Sequence, residues 1–346
     1  MMKNIKLLLV LLIGLLLGGT LTAQDAHFSQ FYNTPLWLNP ALTGVMNHDM
    51  RFIANYRNQW ATIGEPFQTA AVSVDANILA GFSEDDFFGV GLFIMNDMAG
   101  DSEFRDMQAQ LSASYSKALG PDQNIYLSFG GQFGFGQRRI NTAALTFDSQ
   151  FDGDVIDPTI GSGELLNGGS RTYLDASAGL SFFIIPTEGS SVLFGGSIAH
   201  LNEPEVGFLE GGSDKLFRRY TAHASAEVPA NDQLTLIPQA VLLAQGPAVQ
   251  VNMGLLARYH FGDRDEPLSA AITVGTTHRF NDAQVILLRY DYGPLGISAS
   301  YDVNISTLAE ATNGVGGPEI ALIYTLDSWQ KTKREKNGRI RCPGLY

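Results

Sequence analysis

The chain has 346 residues and a formal charge of −13, with 22 Lys and Arg against 35 Asp and Glu. An acidic protein repels phosphate, which argues against a nucleic-acid partner, and a single Cys argues against a disulfide framework or a multi-cysteine metal site. Only 16% of the residues are charged, against roughly 25% in soluble globular chains, although the hydrophobic share of 45% is ordinary. Part of the surface is therefore expected to face something other than water.

Residues 1–23 have the pattern of a secretory signal peptide. Lys3 and Lys6 precede an apolar run from Leu7 to Leu17, and small residues then lead to Ala23. This run is too short for a membrane helix, which needs about 20 residues, so we expect cleavage after about Ala23 rather than an uncleaved anchor. No later stretch approaches the length of about 18 apolar residues that would indicate a membrane-spanning helix.

The rest of the chain alternates between apolar and polar or small residues with a period of two, which is typical of β-strands. In residues 127–136, for example, Phe129 and Phe133 share one face, and Ser128 and Gln132 share the other. The segments run for about 10 to 14 residues, whereas soluble strands are mostly five or six and membrane-spanning strands need about 9 to 11. We therefore expect an all-β chain that forms a transmembrane antiparallel β-barrel rather than a soluble β-sandwich.

About fourteen strands are predicted between residues 50 and 326. Their expected bounds are 50–60, 66–77, 87–98, 104–119, 123–138, 171–184, 190–201, 216–228, 232–245, 248–261, 267–279, 282–292, 295–305 and 318–326. Aromatic residues near the strand ends are expected to form lipid-facing girdles: Phe87, Phe88, Tyr115, Phe182, Phe183, Tyr259, Phe261, Tyr290, Tyr292 and Tyr324. An even number of strands puts both termini on one side, the periplasm in bacterial barrels, so the long connections 139–170, 202–215 and 306–317 should face outward.

Residues 24–49 are predicted to plug the lumen, because fourteen strands enclose more space than the wall side chains fill. The segment is rich in aromatic residues, and Pro35 and Pro40 prevent a long helix. Glycine removes side-chain bulk where another backbone comes close, and many inward positions are small: Gly89, Gly91, Ser112, Ser114, Gly130, Gly134, Gly136, Ser177, Gly179, Gly195 and Ser197. The expected contacts between plug and lumen involve Phe28, Phe31, Tyr32, Trp37, Asn39, Pro40, Arg57, Gly130, Gly134 and Gly136. The alternative is a disordered periplasmic leader.

Charged residues also occupy inward positions. Arg51 and Arg57 face inward on the first predicted strand, and Arg289 and Asp291 do so on the twelfth. Such residues either form ion pairs that brace the wall or hold the plug, or they line a selectivity constriction.

Residues 327–346 are predicted to form a basic periplasmic tail on an otherwise acidic protein. This tail would dock an acidic partner or lie against anionic headgroups, the alternative being a solvated terminus. Its basic residues are Lys331, Lys333, Arg334, Lys336, Arg339 and Arg341. Cys342 has no partner cysteine within the chain, so a disulfide could form only with another molecule.

The sequence carries little that indicates an enzyme. It contains neither a Gly-x-Ser-x-Gly elbow nor a His-x-x-x-His pair, so we predict no catalytic residue and no cofactor. A cluster of carboxylates on the 139–170 connection could bind Ca²⁺, but it lacks the EF-hand spacing, and acidic outer loops are usually solvated. The carboxylates are Asp148, Asp152, Asp154 and Asp157.

Three motifs resemble one known family. The run from Gln24 to Gly44, QDAHFSQFYNTPLWLNPALTG, closely resembles the start of mature PorP/SprF proteins. The run from Asn55 to Trp60, NYRNQW, resembles the first-strand motif of that family, and Cys342-Pro343 resembles its Cys-Pro terminus. Members usually end in Cys-Pro-Arg-Phe, whereas this chain ends in Cys-Pro-Gly-Leu-Tyr, so a role of that arginine does not carry over.

The resemblance implies an outer-membrane barrel of the type IX secretion and gliding apparatus of Bacteroidota. It further implies that the protein helps to export or anchor a specific secreted surface protein that carries a type IX C-terminal domain. Periplasmic components that bind peptidoglycan, or that belong to the ring of the machinery, are the implied partners on the other side. The competing hypotheses are a plugged outer-membrane diffusion channel for small or hydrophobic compounds and an outer-membrane hydrolase.

Overall fold

A computed structural model describes residues 25–326 except 63, 79–85, 101–102, 121–123, 143–144, 152, 154, 158, 162, 164–168, 188, 209–213, 263–268 and 308. The strands are β1 (Met50–Gln59), β2 (Phe67–Ile78), β3 (Phe87–Ala99), β4 (Phe104–Leu119), β5 (Ile125–Arg139), β6 (Ser170–Ile184), β7 (Ser191–Ala199), β8 (Arg219–Pro229), β9 (Leu234–Gln245), β10 (Ala248–Phe261), β11 (Ala270–Arg279), β12 (Ala283–Tyr292), β13 (Leu295–Asn304) and β14 (Val315–Leu326). Short helical turns lie at Phe31–Asn33, Pro35–Leu38, Pro40–Leu42, Asp148–Gln150 and Ala309–Thr312. Within these ranges, no helix has the length and apolar character needed to cross a membrane.

The strands form one closed antiparallel barrel, in which each strand pairs with its neighbours in sequence and β1 pairs with β14. This confirms the prediction of an all-β, fourteen-stranded antiparallel barrel. Predicted and observed bounds differ by a few residues, most clearly at β14, which begins at Val315 rather than at 318. Pro318 was expected to start that strand, but it lies just beyond the last register pair between β1 and β14, Arg57 with Glu319. Its missing N–H therefore interrupts no bond of that ladder.

The two faces of the wall have different chemistry, as the period of two predicts. Along β5, Phe129 and Phe133 are exposed on the outside, while Ser128 and Gln132 are buried inside. Elsewhere on the outer face, large apolar side chains such as Leu111 and Leu174 are more than half exposed. The outer wall of the barrel is therefore largely apolar.

The predicted aromatic girdle is wrong at two positions. Phe87 and Phe183 point into the barrel, where they are 1% and 0% exposed and pack against Tyr126. The girdle was predicted from position along the strand, whereas alternation decides which face a side chain occupies. By alternation, Phe87 shares the inward face with Gly89, and Phe183 shares it with Ser181. Their rings belong to the apolar part of the interior.

The barrel has a terminal end, where β1 starts at Met50 and β14 stops at Leu326, and a loop end, where the long 139–170 connection lies. The N-terminal segment, residues 25–49, runs between these ends. Its last residue is fixed at the terminal end, because the Asp49 N–H donates to Leu326 O at 3.0 Å and Asp49 O accepts from the Asn77 N–H at 3.0 Å.

The first described residue of the N-terminal segment is at the loop end. The Asp25 N–H donates to Oε1 of Gln245, the last residue of β9, at 2.9 Å. The first and last strands share the terminal end, as the even strand number requires. The described N-terminal segment runs through the length of the barrel, from Asp25 at the loop end to Asp49 at the terminal end. Both chain termini lie outside the described residues, so the expectation that they share one side stays a prediction.

Candidate functional site

The first functional feature is a buried charge group at the loop end of the inner wall. It consists of Arg57 on β1, Arg279 on β11, Asp302 on β13 and Glu319 on β14, all inward by strand alternation. Both arginines bind the Asp302 carboxylate, with N–O distances of 2.9 and 3.0 Å. Arg57 Nε also lies 3.8 Å from Glu319 Oε2. Two positive and two negative charges thus balance one another inside the wall.

This charge group binds the N-terminal segment directly. The N–H groups of Ser29 and Gln30 donate to the Glu319 carboxylate at 2.7 and 3.1 Å, and the Ser29 hydroxyl donates to Asp302 at 2.7 Å. Arg57 donates to the carbonyl oxygen of His27. Buried ions need such additional hydrogen bonds to offset their lost hydration. The segment therefore supplies part of the hydrogen bonding that the wall charges lose on burial, while Asp302 Oδ1 and Arg279 Nε have no hydrogen-bond partner among the described residues.

A second set of contacts fixes Asp25. Its carboxylate accepts one hydrogen bond from Arg219 Nη1 at 2.8 Å and lies 2.7 Å from His200 Nε2. His200 Nδ1 lies 3.0 Å from the Asp175 carboxylate, so the imidazole bridges two acids. Arg219 also donates to Trp37 O at 3.0 Å, and its guanidinium lies 3.8 Å from the centre of the Trp37 ring. The loop end of the N-terminal segment is thereby held by charge and by cation–π contact.

The electrostatics of this set depend on pH. Burial alone would lower the pKa of His200, but the carboxylates of Asp25 and Asp175 outweigh it and raise that pKa from 6.5 to about 9. Burial would raise the pKa of Asp25, but His200 and Arg219 hold it well below its ordinary value of 3.8. Because the pKa of His200 is raised by folding, its contribution is complete below pH 6.5 and is lost as pH rises through about 9. The contribution of Asp25 persists above pH 3.8.

Raising the pH from about 7 to about 10 should therefore loosen the segment around Asp25, at a cost on the order of 3 kcal/mol from the His200 shift. Limited proteolysis of the folded barrel in detergent measures this as faster cleavage after residue 25. In a His200→Gln variant, which stays neutral, the cleavage rate should not change between these pH values. Equal protection of the wild type at both pH values would contradict the assigned role of His200.

The middle of the N-terminal segment, residues 39–44, lies against small residues of the wall. A Cβ added at Gly130 or at Gly179 would overlap with atoms of Pro40 and Ala41 or with the side chain of Asn39. The Asn39 amide donates to the carbonyl oxygens of Leu180 and Gly196 at 3.0 and 3.2 Å. Glycine is required at Gly130 by the close approach of the segment's backbone, and at Gly179 by the Asn39 side chain, rather than by a turn.

Serine hydroxyls and an ion pair complete these contacts. Ser114 and Ser197 donate to the carbonyl oxygens of Thr43 and Leu38 at 2.6 and 2.8 Å. The Gly44 N–H donates at 2.8 Å to an Asp75 carboxylate that also pairs with Arg51 on β1. The carbonyl oxygens of Leu38 and Thr43 and the N–H of Gly44 thus find polar partners on the wall, as buried backbone groups require.

Apolar residues of the N-terminal segment fill the remaining interior. Phe28 and Trp37 pack with Phe93, whose ring stacks on Trp37 at 5.5 Å between centres. Phe31 and Tyr32 belong to a second cluster that includes the inward-facing residues Phe87, Tyr126, Phe183, Leu193, Ile237, Val241, Leu256 and Leu287. Both clusters join the segment to several strands at once.

Two of the predicted lumen glycines do not face the N-terminal segment. The atoms nearest to a Cβ at Gly134 are the backbone atoms of Ala109 and Gln110 on the adjacent β4, and those nearest to a Cβ at Gly136 belong to the Tyr173 ring. Both glycines point inward as predicted, but they relieve crowding within the wall. The nearest neighbours of both glycines are therefore wall residues, because inward direction does not specify which neighbour fills the space.

The proposed cation ligands are not brought together in the part of the loop that the structure describes. The Asp157 carboxylate accepts hydrogen bonds from Thr159, and Asp148 begins a separate helical turn. Asp152 and Asp154 lie outside the described residues, and among those described no group of three or more potential ligands could hold a metal ion. The basic residues of the tail, with Cys342, and residues 1–24 also lie outside the described ranges.

Several residues that hold the N-terminal segment were not singled out by the sequence. Alternation places Arg279, Asp302 and Glu319 on inward faces, but these residues come from three strands and meet only when the barrel closes. His200 and Arg219 lie at the ends of a connection that reads as an ordinary outer loop. The sequence signal that points to them is a charged residue at an inward position, because a buried charge needs a partner.

No curated protein sequence matches the chain. Among solved structures, the monoaromatic hydrocarbon channel CymD is 13% identical, with 88% of this chain and 95% of that chain covered and a TM-score of 0.47. A FadL homologue from Pseudomonas aeruginosa is 12% identical, with 90% and 96% covered and a TM-score of 0.47. BamA from Haemophilus ducreyi lacking POTRA domains 1–3 is 12% identical, with 81% and 70% covered and a TM-score of 0.39.

The sequence comparison with protein families gives a match over nearly the whole chain. The family described as type IX secretion system membrane protein PorP/SprF matches residues 20–324. That range contains the N-terminal segment, all but the last residues of the barrel, and two of the three motifs that carried the resemblance. The chain therefore belongs to the PorP/SprF family of type IX secretion system membrane proteins.

Proposed function

We propose that this protein is a non-enzymatic outer-membrane barrel of the type IX secretion and gliding apparatus, closed by its own N-terminal segment, that helps to export or anchor a specific secreted surface protein. Membership of the PorP/SprF family supports the assignment to this machinery. The large apolar side chains on the outer wall support a membrane location, because a soluble protein rarely exposes such an extensive apolar surface. Lipid of the outer membrane is thus the first partner.

The observation that carries the anchoring role is the fixation of the N-terminal segment across the lumen. Contacts hold it at Asp25, at Asn39 and at Asp49, so both ends and the middle are bound to the wall. A cavity of about 40 Å³ beside Phe28 and Trp37 has room for only a few water molecules. Such a barrel is a poor diffusion channel and a rigid platform.

The channel hypothesis is tested by conductance in planar bilayers. We expect the purified wild-type barrel to show no sustained open pore, and a variant in which residues 25–44 are deleted to conduct. A robust open state of the wild type would favour the diffusion channel for small or hydrophobic compounds and would count against a static plug.

We further propose that the loop end faces the cell surface and the terminal end the periplasm. In this orientation the 139–170 connection meets the secreted cargo protein with its type IX C-terminal domain. Phe151, Ile156 and Ile160 on that connection are exposed large apolar residues, as a docking surface requires. Leu326, and with it the basic tail, would lie on the periplasmic side, within reach of peptidoglycan-binding or ring components.

The tail is tested by changing its charge without changing its length. Replacing Lys331, Lys333, Arg334, Lys336, Arg339 and Arg341 with glutamine should leave the barrel heat-modifiable on gels but remove the periplasmic partners that co-purify with the tagged wild type in mild detergent. Mass spectrometry of the two preparations gives the comparison, and cargo recovered in both is the internal control. An unchanged set of periplasmic partners would refute docking by the tail.

A further inference from the structure

One strand edge at the loop end has no strand partner among the described residues. β6 pairs with β5 along its whole length, from Ser170 with Arg139 to Ile184 with Ile125. Its other edge pairs with β7 only from Ala178 with Ile198 onward, because β7 stops at Ala199. The part of β6 before Ala178 therefore extends beyond its neighbour at the loop end of the barrel.

The connection after β7 covers only the lower part of this edge. The Leu201 N–H donates to Ala176 O at 2.9 Å. The Asn202 side chain accepts from the Ala176 N–H at 3.2 Å and donates to Leu174 O at 2.7 Å, which imitates a neighbouring strand. In an antiparallel ladder, alternate residues direct their N–H and C=O to the same side, so the Leu174 N–H and both backbone groups of Thr172 also face this edge. Among the described residues these three groups have no hydrogen-bond partner.

An open groove runs beside these unpaired groups. It has a volume of about 510 Å³ and lies between β6 and the connection, lined by Ser170, Arg171, Thr172, Tyr173, Leu174, Asn202, Pro204 and Glu205. The base of the groove is well packed, since Tyr173 forms a buried apolar cluster with Val206 and Leu216 of the connection. A weak ion pair between Arg171 and Glu205, both partly exposed, is the one charged contact described across it, at 3.9 Å. The groove is therefore open to solvent, and two N–H donors and one carbonyl acceptor, from Thr172 and Leu174, lie along one side of it.

We propose that an extended segment of an exported protein adds to this edge of β6 as an extra strand, hydrogen-bonded to Thr172 and Leu174. Unprotected strand edges template pairing, and proteins commonly block them with lysine, proline or bulges, none of which occurs at residues 172–174. Strand addition draws affinity from main-chain bonds and specificity from alternate side chains. On one face of the added strand, the side chains would lie beside the exposed Leu174 and should be apolar. On its other face, they would lie between Arg171 and Glu205 and should be polar.

This inference rests on the proposed function, since it takes the occupant to be an exported protein at the cell surface. A photo-crosslinking amino acid at Glu205, across the groove, tests it in whole cells that carry the full chain. We expect an adduct with a single peptide region of an exported protein, identified by mass spectrometry. Thr172→Pro removes the free N–H without touching the ladder with β5 and should reduce the adduct about tenfold. Thr172→Val keeps the N–H and should leave the adduct unchanged.

Each other outcome is informative. An adduct of the same yield in Thr172→Pro, or an adduct with a second copy of this chain, would overturn the strand addition. Absence of an adduct while cargo still co-purifies with the wild type would overturn it too and leave the proposed function standing, whereas absence of any co-purifying cargo would sink both. Heat-modifiability on gels reports whether the proline variant folds. If it does not, Leu174→Pro, which removes the other unpaired N–H of this edge, takes its place with the same expectations.

Discussion

Replacing Gly130 with valine should expel the N-terminal segment from the barrel. A Cβ at this position overlaps with backbone atoms of Pro40 and Ala41, and backbone cannot rotate away as a long side chain can. Overpacking of this kind costs about 1 to 3 kcal/mol and sometimes more. Moving Pro40 and Ala41 away from the wall would also break the neighbouring hydrogen bonds of Asn39 and Thr43. We expect rapid proteolysis between residues 25 and 49 and conductance in planar bilayers.

The adjacent residue provides the matched control. Gly131 lies on the opposite face of β5, and nothing is within 4 Å of a Cβ placed there, so Gly131→Val changes β-propensity alone. That variant should protect the segment as well as the wild type does. If Gly130→Val were equally protected, the seating of residues 39–44 on this glycine would be refuted.

Removing Arg57 should have the second large effect, because it leaves two buried carboxylates, Asp302 and Glu319, with Arg279 as their remaining buried cation. Breaking a buried ion pair from one side costs about 3 to 5 kcal/mol. The Arg57→Met variant also loses the bond to His27 O, so the start of the segment should be released first. Denaturant unfolding in detergent, followed by tryptophan fluorescence, measures the loss of stability, and proteolysis reports the release.

Two further variants test the interpretation. Arg57→Met combined with Glu319→Gln restores neutrality and should recover part of the lost stability, although glutamine cannot accept from both Ser29 and Gln30 as the carboxylate does. Arg218→Met breaks an exposed pair with Glu203 at 3.6 Å and should cost less than about 1 kcal/mol. A similar loss in Arg57→Met and Arg218→Met would mean that the buried charge group contributes no more than a surface pair.

The barrel could be predicted from the sequence because alternation is a local property. Each strand shows its two faces within about ten residues, and Ser128 beside Phe129 is enough to say which side chain points inward. Strand ends were less certain where a proline or an aromatic residue had two interpretations. Pro318 lies inside β14, and Phe87 and Phe183 turned out to be interior residues rather than girdle residues.

The contacts inside the barrel could be predicted only in part. Small inward residues indicated that something lies near the wall, which holds at Gly130 but not at Gly136, where Tyr173 fills the space. Pairings such as Arg279 with Asp302, or Asp25 with His200, depend on the shear of the closed barrel and on the path of the segment. Neither the shear nor the path of the segment can be predicted from a local sequence pattern.

The course of the N-terminal segment from one mouth of the barrel to the other has a consequence for assembly. If the barrel had already closed, the segment would have to carry Trp37 and the charged Asp25 through the mouth of the barrel and past the inward-facing side chains, against both steric hindrance and the cost of desolvation. The segment precedes every strand in the chain, whereas the seam between β1 and β14 joins residues about as far apart as the barrel allows and should form last. We therefore expect the strands to assemble around the N-terminal segment before the barrel closes. The segment would then act as a template for barrel assembly.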